Sequence, residues 1–178
     1  MAFWKKNHAE LKPTQLPDGF RFLETSVTSK KEVHDMIAGT WLFSDLDRKN
    51  IDTVSNYTQC YEVDANTVLF KESDVGNYMC LLVKGQVEIF KEDQTGAKHQ
   101  LAQIRGGNTF GEMSLIDNEP RSATCVATHD SVVLLLTRHS YGQIILDHPT
   151  LAINILIKLA RLISQRLRNM SGQIVEKL

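Results

Sequence analysis

Hydrophobic residues recur with helical spacing in two short stretches near the start of the chain. One stretch predicts a helix over Lys30–Ala38. The other predicts a helix that begins after Ser44 or Asp45, because either side chain can accept from the free backbone N–H groups of a first turn. The apolar positions of the first helix are Val33, Met36 and Ile37, and those of the second are Leu46, Ile51 and Val54.

From Thr58 onward the hydrophobic spacing changes to two, which is typical of strands with one buried face. Tyr78 to Val83 is a continuous apolar run and predicts a strand buried on both faces. Gly85 follows at a turn that needs positive φ, and Glu92 to Gly96 is predicted to be a hairpin loop. The other strand signals are Cys60/Glu62, Val68/Phe70, Val87/Ile89, His99–Ile104, Ala123–Ala127 and Val132–Thr137. Many short antiparallel strands favour a closed roll or jelly roll.

The chain is predicted to end in two helices. The first spans Arg138–Leu146, and Pro149 fits the first turn of the second. Apolar residues of the second helix recur at spacings of three and four, at Ala152, Leu156, Leu159, Ile163, Leu167, Met170, Ile174 and Leu178. Such a helix extends roughly 45 Å, and its repeat is typical of a coiled-coil seam. We expect a homodimer through this helix; a helix packed on its own roll and frayed beyond is the alternative.

The clearest candidate chemistry lies in residues 110–127, which read FGEMSLIDNEPRSATCVA. Gly111 precedes a short predicted helix over Glu112–Ile116, so free backbone N–H groups and the helix N-terminus can face an anion. Arg121 can add a charge-assisted contact to a phosphate. The Glu112 carboxylate repels a phosphate and is suited to accept from a sugar hydroxyl. The segment therefore predicts capture of a small anion that also carries a hydroxyl.

Within this segment the frame F-G-E, L-I and P-R-x-A-T resembles the phosphate-binding cassette of the cyclic nucleotide-binding domain family. We call residues 110–127 the cassette. Leu82–Val87, which reads LVKGQV, matches a second pattern of that family. The resemblance implies that Glu112 holds a ribose 2′-hydroxyl and Arg121 a cyclic phosphate. It also implies contacts at Gly111, Met113, Ser114, Ser122 and Ala123. The alternative is an ordinary ion pair between Glu112 and Arg121.

The resemblance covers about residues 41–178 and implies an α+β fold. Its centre is an antiparallel β-roll, jelly-roll-like, flanked by N-terminal helices and a long C-terminal helix. We expect a lead-in over 1–28, the roll with its flanking helices over 29–148, and the long helix over 149–178. In the catabolite activator protein of this family, a Thr-Ser pair on the long helix reaches the purine. Aligning Arg166-Leu167 puts Met170 and Ser171 there; Ser171 matches and Met170 does not.

Composition narrows the classes of function. The 178 residues are 42% hydrophobic, as in globular domains, and the net charge of −1 argues against a nucleic-acid footprint across the chain. Three cysteines in apolar stretches (Cys60, Cys80 and Cys125) predict buried thiols in a reducing compartment. Histidine spacing predicts no metal site. We expect a cytoplasmic protein, because the sequence has neither a signal-peptide pattern nor a run of transmembrane length.

The candidate residues of the cassette and of the C-terminal helix allow four functions to be compared. We expect a stand-alone cyclic-nucleotide sensor that signals to an unidentified partner protein through movement of its C-terminal helix. A transcription regulator of the catabolite-activator type is the alternative, although no room for a helix-turn-helix follows the long helix. An enzyme is not expected, because no nucleophile–base pair accompanies Glu112, Arg121 and Ser114. The presence of both Glu112 and Arg121 disfavours a scaffold that has lost its ligand.

Ser122 bears on the choice of nucleotide, because it follows the cassette arginine. In the family, Thr at this position is associated with cyclic GMP, and Ala or Ser with cyclic AMP. Met170 offers an apolar surface for stacking and Ser171 one hydroxyl. We expect cyclic AMP as the preferred ligand and cyclic GMP as a weaker one; a cyclic-GMP-selective sensor is the alternative.

Overall fold

Two antiparallel β-sheets form the body of the molecule. The computed structural model describes residues 16–23 and 30–175. The strands are β1 (Phe20–Phe22), β2 (Thr58–Val63), β3 (Val68–Phe70), β4 (Tyr78–Lys84), β5 (Gln86–Glu92), β6 (Lys98–Arg105), β7 (Thr109–Phe110), β8 (Thr124–Ala127) and β9 (Ser131–Thr137). The first sheet has the order β1-β2-β9-β4-β7 and the second β3-β8-β5-β6. The predicted antiparallel roll is confirmed.

Helices flank this roll as predicted. They are α1 (Lys30–Ala38), α2 (Arg48–Ser55), α3 (Glu112–Asp117), α4 (Arg138–Asp147) and α5 (Pro149–Val175). The predicted N-cap of α2 is wrong. Asp47, rather than Ser44 or Asp45, accepts from the Asn50 N–H at 2.8 Å, because Asp47 has extended backbone directly before the first helical residue. Ser44 and Asp45 lie in the preceding turn.

Strand β4 lies between two hydrophobic clusters. Met79 and Leu81 pack with residues of α1, α2, α4 and α5, whereas Cys80 and Leu82 pack inside the roll. All four side chains are completely buried, so the prediction of burial on both faces is confirmed. This arrangement places one face of the first sheet under helices and the other inside the roll.

The glycine turn predicted at Gly85 is confirmed, and it joins β4 to β5. Its φ is +99°, and a Cβ there would lie 2.7 Å from the Ser131 Cα. Both the backbone conformation and the close approach therefore require glycine. Residues 93–97 form the hairpin loop between β5 and β6, one position later than the predicted loop over 92–96.

Part of the predicted lead-in belongs to the first sheet. Within residues 1–28, β1 pairs with β2 through Phe20↔Val63 and Phe22↔Tyr61. The rest of this lead-in, apart from 16–23, lies outside the described residues. The other domain bounds, 29–148 and 149–178, stay predictions.

The first half of α5 packs on its own domain. Ala152 and Leu159 are buried with α4 and the underside of the first sheet, together with Leu151 and Ile155. Assigning Ala152 and Leu159 to an intermolecular seam was therefore wrong. Further along, the Leu167 side chain is 64% exposed. The predicted seam positions Ile174 and Leu178 have no described side chains.

Candidate functional site

A tight turn at Gly111 brings the two ends of the cassette together. Gly111 has a φ of +73° directly before α3, and a Cβ there would lie 2.8 Å from Arg121 Nη1. It would also lie 3.2 Å from atoms of the Phe70 ring. A side chain at this position is therefore excluded by both conformation and space, which lets the Arg121 guanidinium lie against the start of α3.

The Arg121 side chain is buried, with 3% of its surface exposed. Its Nη1 donates to the Gly111 carbonyl and its Nη2 to the Tyr78 carbonyl, both at 2.8 Å. The guanidinium carbon lies 3.9 Å from the Phe70 ring centroid and 4.6 Å from that of Tyr78, which are cation–π contacts. Its Nε is buried and, within the described residues, has no hydrogen-bond acceptor.

The charge of Arg121 is therefore incompletely balanced. All of its described hydrogen-bond partners are neutral carbonyl oxygens. Burial of an ion is costly unless it is paired with an opposite charge. Glu112 does not fill that role, so the alternative of an ordinary Glu112–Arg121 ion pair does not describe this site.

Glu112 is paired with the long helix instead. Its carboxylate is 2% exposed, and Oε1 accepts from Arg166 Nη1 of α5 at 2.5 Å. Arg166 Nη2 also donates to the Thr109 carbonyl at 2.6 Å. The second carboxylate oxygen, Oε2, is buried and has no donor in the described part of the chain. This oxygen can accept from a ligand hydroxyl while Oε1 keeps its contact with Arg166.

The interior around Arg121 is apolar. Cys80 lies on β4, and its burial raises the pKa of the thiol to about 12, although the nearby Arg121 charge acts in the opposite direction. Burial likewise raises the pKa of Tyr78. Cys60, Cys80 and Cys125 are all free and buried, as expected from the sequence. In such surroundings a charge on a ligand interacts more strongly with Arg121 than it does in water.

The other cassette residues divide between the interior and the surface. Ser114 and Ala123 are buried, whereas Met113 and Ser122 are exposed, and the Ser122 hydroxyl donates to the Met113 sulfur at 3.7 Å. The loop between β3 and β4 closes against this region. A Cβ on Gly76 would lie 2.6 Å from the Ser114 hydroxyl oxygen and 2.9 Å from Arg121 Nε.

Met170 and Ser171 lie on the exposed part of α5. The Met170 side chain is 53% exposed, and the Ser171 hydroxyl donates to the Leu167 carbonyl of its own helix at 2.9 Å. The described contact from this part of α5 to the site comes from Arg166, one turn before Met170. Their predicted role at the base therefore stays a prediction.

Sequence reasoning missed several residues at this site. It used Arg166 only to align the helix, although this arginine follows Leu159 by two helical turns and so lies on nearly the same face of α5. The signal available in the sequence was an arginine two helical turns after an apolar position of the same helix. The roles of Phe70, Gly76 and the Tyr78 carbonyl had no such signal, because they depend on contacts between distant parts of the chain.

Neither a metal-binding cluster nor a membrane-spanning helix is found in the described ranges. No group of three or more His, Cys, Asp or Glu side chains there is placed to hold a metal ion. In the same ranges, no helix has the length and apolarity needed to cross a membrane.

Known proteins share both the sequence pattern and the fold. Residues 61–148 match the family model described as the cyclic nucleotide-binding domain. The cyclic AMP receptor protein of Thermus thermophilus is 35% identical over 130 residues, which are 73% of this chain and 58% of that protein. The chain thus spans somewhat more than half the length of this curated relative.

Solved structures agree with this assignment. A cyclic nucleotide-binding domain from Methylobacillus flagellatus KT has a TM-score of 0.78 and 29% identity, with 90% of both chains covered. The regulatory domain of Toxoplasma gondii PKA, crystallised with cAMP, has a TM-score of 0.58 and 27% identity, covering 65% of this chain and 44% of that one. Through residues 61–148, the chain belongs to the cyclic nucleotide-binding domain family.

Proposed function

We propose that this domain binds cyclic AMP and transmits the binding event to a partner protein through α5. The observation that carries the proposal is Arg121, a buried cation whose described partners are neutral and whose Nε has no acceptor within the described residues. A cyclic phosphate supplies the missing negative charge. Backbone N–H groups of the cassette are proposed to complete the phosphate contacts, at Gly111, Met113, Ser114, Ser122 and Ala123.

Glu112 is proposed to recognise the ribose of the same ligand. Its free Oε2 is an acceptor in an apolar interior, and a carboxylate accepts strongly from a hydroxyl. The two unsatisfied groups, a cationic donor and an anionic acceptor, belong to one short segment. A nucleotide with a cyclic phosphate and a 2′-hydroxyl matches both. The relatives named above as a cyclic AMP receptor and a cAMP-bound regulatory domain support this choice.

Binding is proposed to reach the partner through Arg166. This side chain joins Glu112 and Thr109 to α5, so a ligand that engages Glu112 also acts on the contact that holds the second half of the helix. A ligand shifts a two-state equilibrium only through its differential affinity for the two states. The Arg166–Glu112 contact supplies such a difference. We propose binding and not turnover, because the relatives named above are a receptor protein and a regulatory domain.

A homodimer is proposed through the exposed face of α5. Ile153, Leu156, Ile157, Leu167 and Met170 are all exposed large hydrophobic residues on this one helix. Ile153 precedes Leu156 by three positions and Ile157 by four, and Leu167 precedes Met170 by three, which is compatible with a seam between two helices. This face keeps Leu156, Leu167 and Met170 of the predicted seam. It does not include Ala152 and Leu159, which already pack on the roll.

Cyclic AMP is proposed as the preferred nucleotide. Ser122 is exposed next to the cassette arginine, and its hydroxyl contacts the Met113 sulfur. One hydrogen bond contributes about 0.5–1.5 kcal/mol, so selectivity over cyclic GMP is expected to be roughly tenfold at most. Competition between the two nucleotides at one protein concentration measures this ratio. Ser122→Thr is expected to move the ratio toward cyclic GMP, and tighter binding of cyclic GMP by the parent would contradict the assignment.

A further inference from the structure

Arg138 links three parts of the molecule that meet behind the cassette. It is the first residue of α4, and its guanidinium donates to the carbonyls of Ser114 and Gly76, the latter at 2.7 Å. It also donates to the side-chain oxygen of Asn118 at the end of α3. Its backbone N–H donates to the Asn77 carbonyl at 2.7 Å. One residue thus ties α3 and the β3–β4 loop to the helix that leads into α5.

Arg138 also shares its contacts with Arg121. The carbonyls of Gly76 and Ser114 accept from Arg138. Gly76 also lies between Ser114 and Arg121, because a Cβ on it would be 2.6 Å from the Ser114 hydroxyl oxygen and 2.9 Å from Arg121 Nε. The Nε of Arg138, like that of Arg121, is buried and has no acceptor in the described ranges. Two guanidinium groups therefore flank one contact between loop and helix.

The electrostatics of this pair favour an anion. Burial, and then the charge of Arg121, lower the pKa of Arg138, while Asp117 acts in the opposite direction. The described hydrogen-bond acceptors of both guanidinium groups are neutral oxygens. Like charges in a partly buried region repel, and a bound phosphate would offset that repulsion.

We propose that Arg138 is a positioning residue for the phosphate of the ligand. It holds the Ser114 and Gly76 carbonyls at a fixed spacing, and this spacing sets where Arg121 and the start of α3 meet the phosphate. Because Arg138 is also the first residue of α4, the same contacts transmit a shift of the cassette through α4 to α5. This inference rests on the proposed function, since it assigns a residue to the same anion site.

A purely structural role for Arg138 predicts something different. If Arg138 only fastened α4 to the roll, its replacement would lower the unfolding temperature and leave the affinity of the folded protein unchanged. A positioning role predicts weaker binding by protein that is still folded. It also predicts partial recovery by lysine, which keeps the charge but can donate to only one or two of the same oxygens.

The experiment is calorimetric titration of cyclic AMP into the parent, Arg138→Gln and Arg138→Lys. Arg105→Gln is the matched control, because it removes the same charge from an exposed arginine on β6. Residues that act through others change binding by roughly 3- to 30-fold, which is the loss expected for Arg138→Gln. Arg138→Lys is expected to lie between Arg138→Gln and the parent, and the control within about twofold of the parent. Thermal unfolding without ligand measures the folded fraction of each variant.

The outcomes separate this inference from the proposed function. Parental affinity in folded Arg138→Gln, together with loss of binding in Arg121→Ala, would overturn the role of Arg138 and leave the function standing. Binding by Arg121→Ala as tight as that of the parent would instead remove the proposed function. If Arg138→Gln does not fold, Arg138→Lys decides: weaker binding supports the inference and parental affinity overturns it.

Discussion

The two halves of α5 are held by different forces. In the first half, Leu151, Ile155 and Leu159 are buried in the hydrophobic cluster under the first sheet, and Lys158 bonds the Leu42 carbonyl and pairs with Asp45. In the second half, the described contact with the roll is polar and comes from Arg166. Segments with few buried apolar contacts open at lower free energy than core segments. Under the proposed function, we therefore expect a ligand to move the second half of the helix and not the first.

The largest expected effect of this difference is on stability at Leu159. Leu159→Ala removes a completely buried side chain, and such changes typically lower the free energy of unfolding by about 2–5 kcal/mol. The matched control is Leu146→Ala on α4, where the leucine is 68% exposed, and its effect should stay within about 0.5 kcal/mol. Denaturant unfolding of both variants measures the difference. Equal losses at the two positions would contradict the account of the first half.

A smaller effect is expected when the polar contact of the second half is removed. Arg166→Met leaves the buried Glu112 carboxylate without its donor, which should cost about 1–3 kcal/mol. Hydrogen exchange of the amides over 160–172 should become faster, while exchange over 151–159 should not change. Arg168→Met is the control, because Arg168 is exposed two positions away. Unchanged exchange in the second half of Arg166→Met would show that another contact holds it.

The sequence predicted those features that depend on local pattern. The continuous apolar run of β4 and the glycine turn at Gly85 need only neighbouring residues, and both agree with the structure. The N-cap of α2 was wrong because Ser44, Asp45 and Asp47 all have suitable side chains within four positions. Only the backbone conformation selects Asp47.

The helix seam and the site needed tertiary information. Helical spacing identifies an apolar face of α5 but not what covers it, so Ala152 and Leu159 were assigned to a partner instead of the roll. The sequence pointed to Glu112 and Arg121 through their spacing. It could not reveal that Arg121 bonds the Tyr78 carbonyl, 43 positions away, or that Glu112 meets Arg166, 54 positions away.

The smallest expected effect on the single chain is at Leu167, which is 64% exposed in the second half of α5. Leu167→Asp should change the stability of an isolated chain by no more than about 0.5 kcal/mol. In a homodimer through this face, however, it would bury an unpaired charge and should yield monomers. Light scattering at several protein concentrations measures the oligomeric state of the parent and of Leu167→Asp. A parent protein that stays monomeric at all concentrations would contradict the dimer proposal.

We propose above that the buried cation Arg121 binds the phosphate of a cyclic nucleotide. Calorimetric titration of cyclic AMP into the parent and Arg121→Ala tests it most directly, with Arg105→Ala as the control that removes an exposed arginine. Removing one partner of a desolvated charge pair costs about 2–5 kcal/mol, so Arg121→Ala should bind roughly 30- to several thousand-fold more weakly than the parent. The control should bind like the parent. Folded Arg121→Ala that binds cyclic AMP as tightly as the parent would contradict the account.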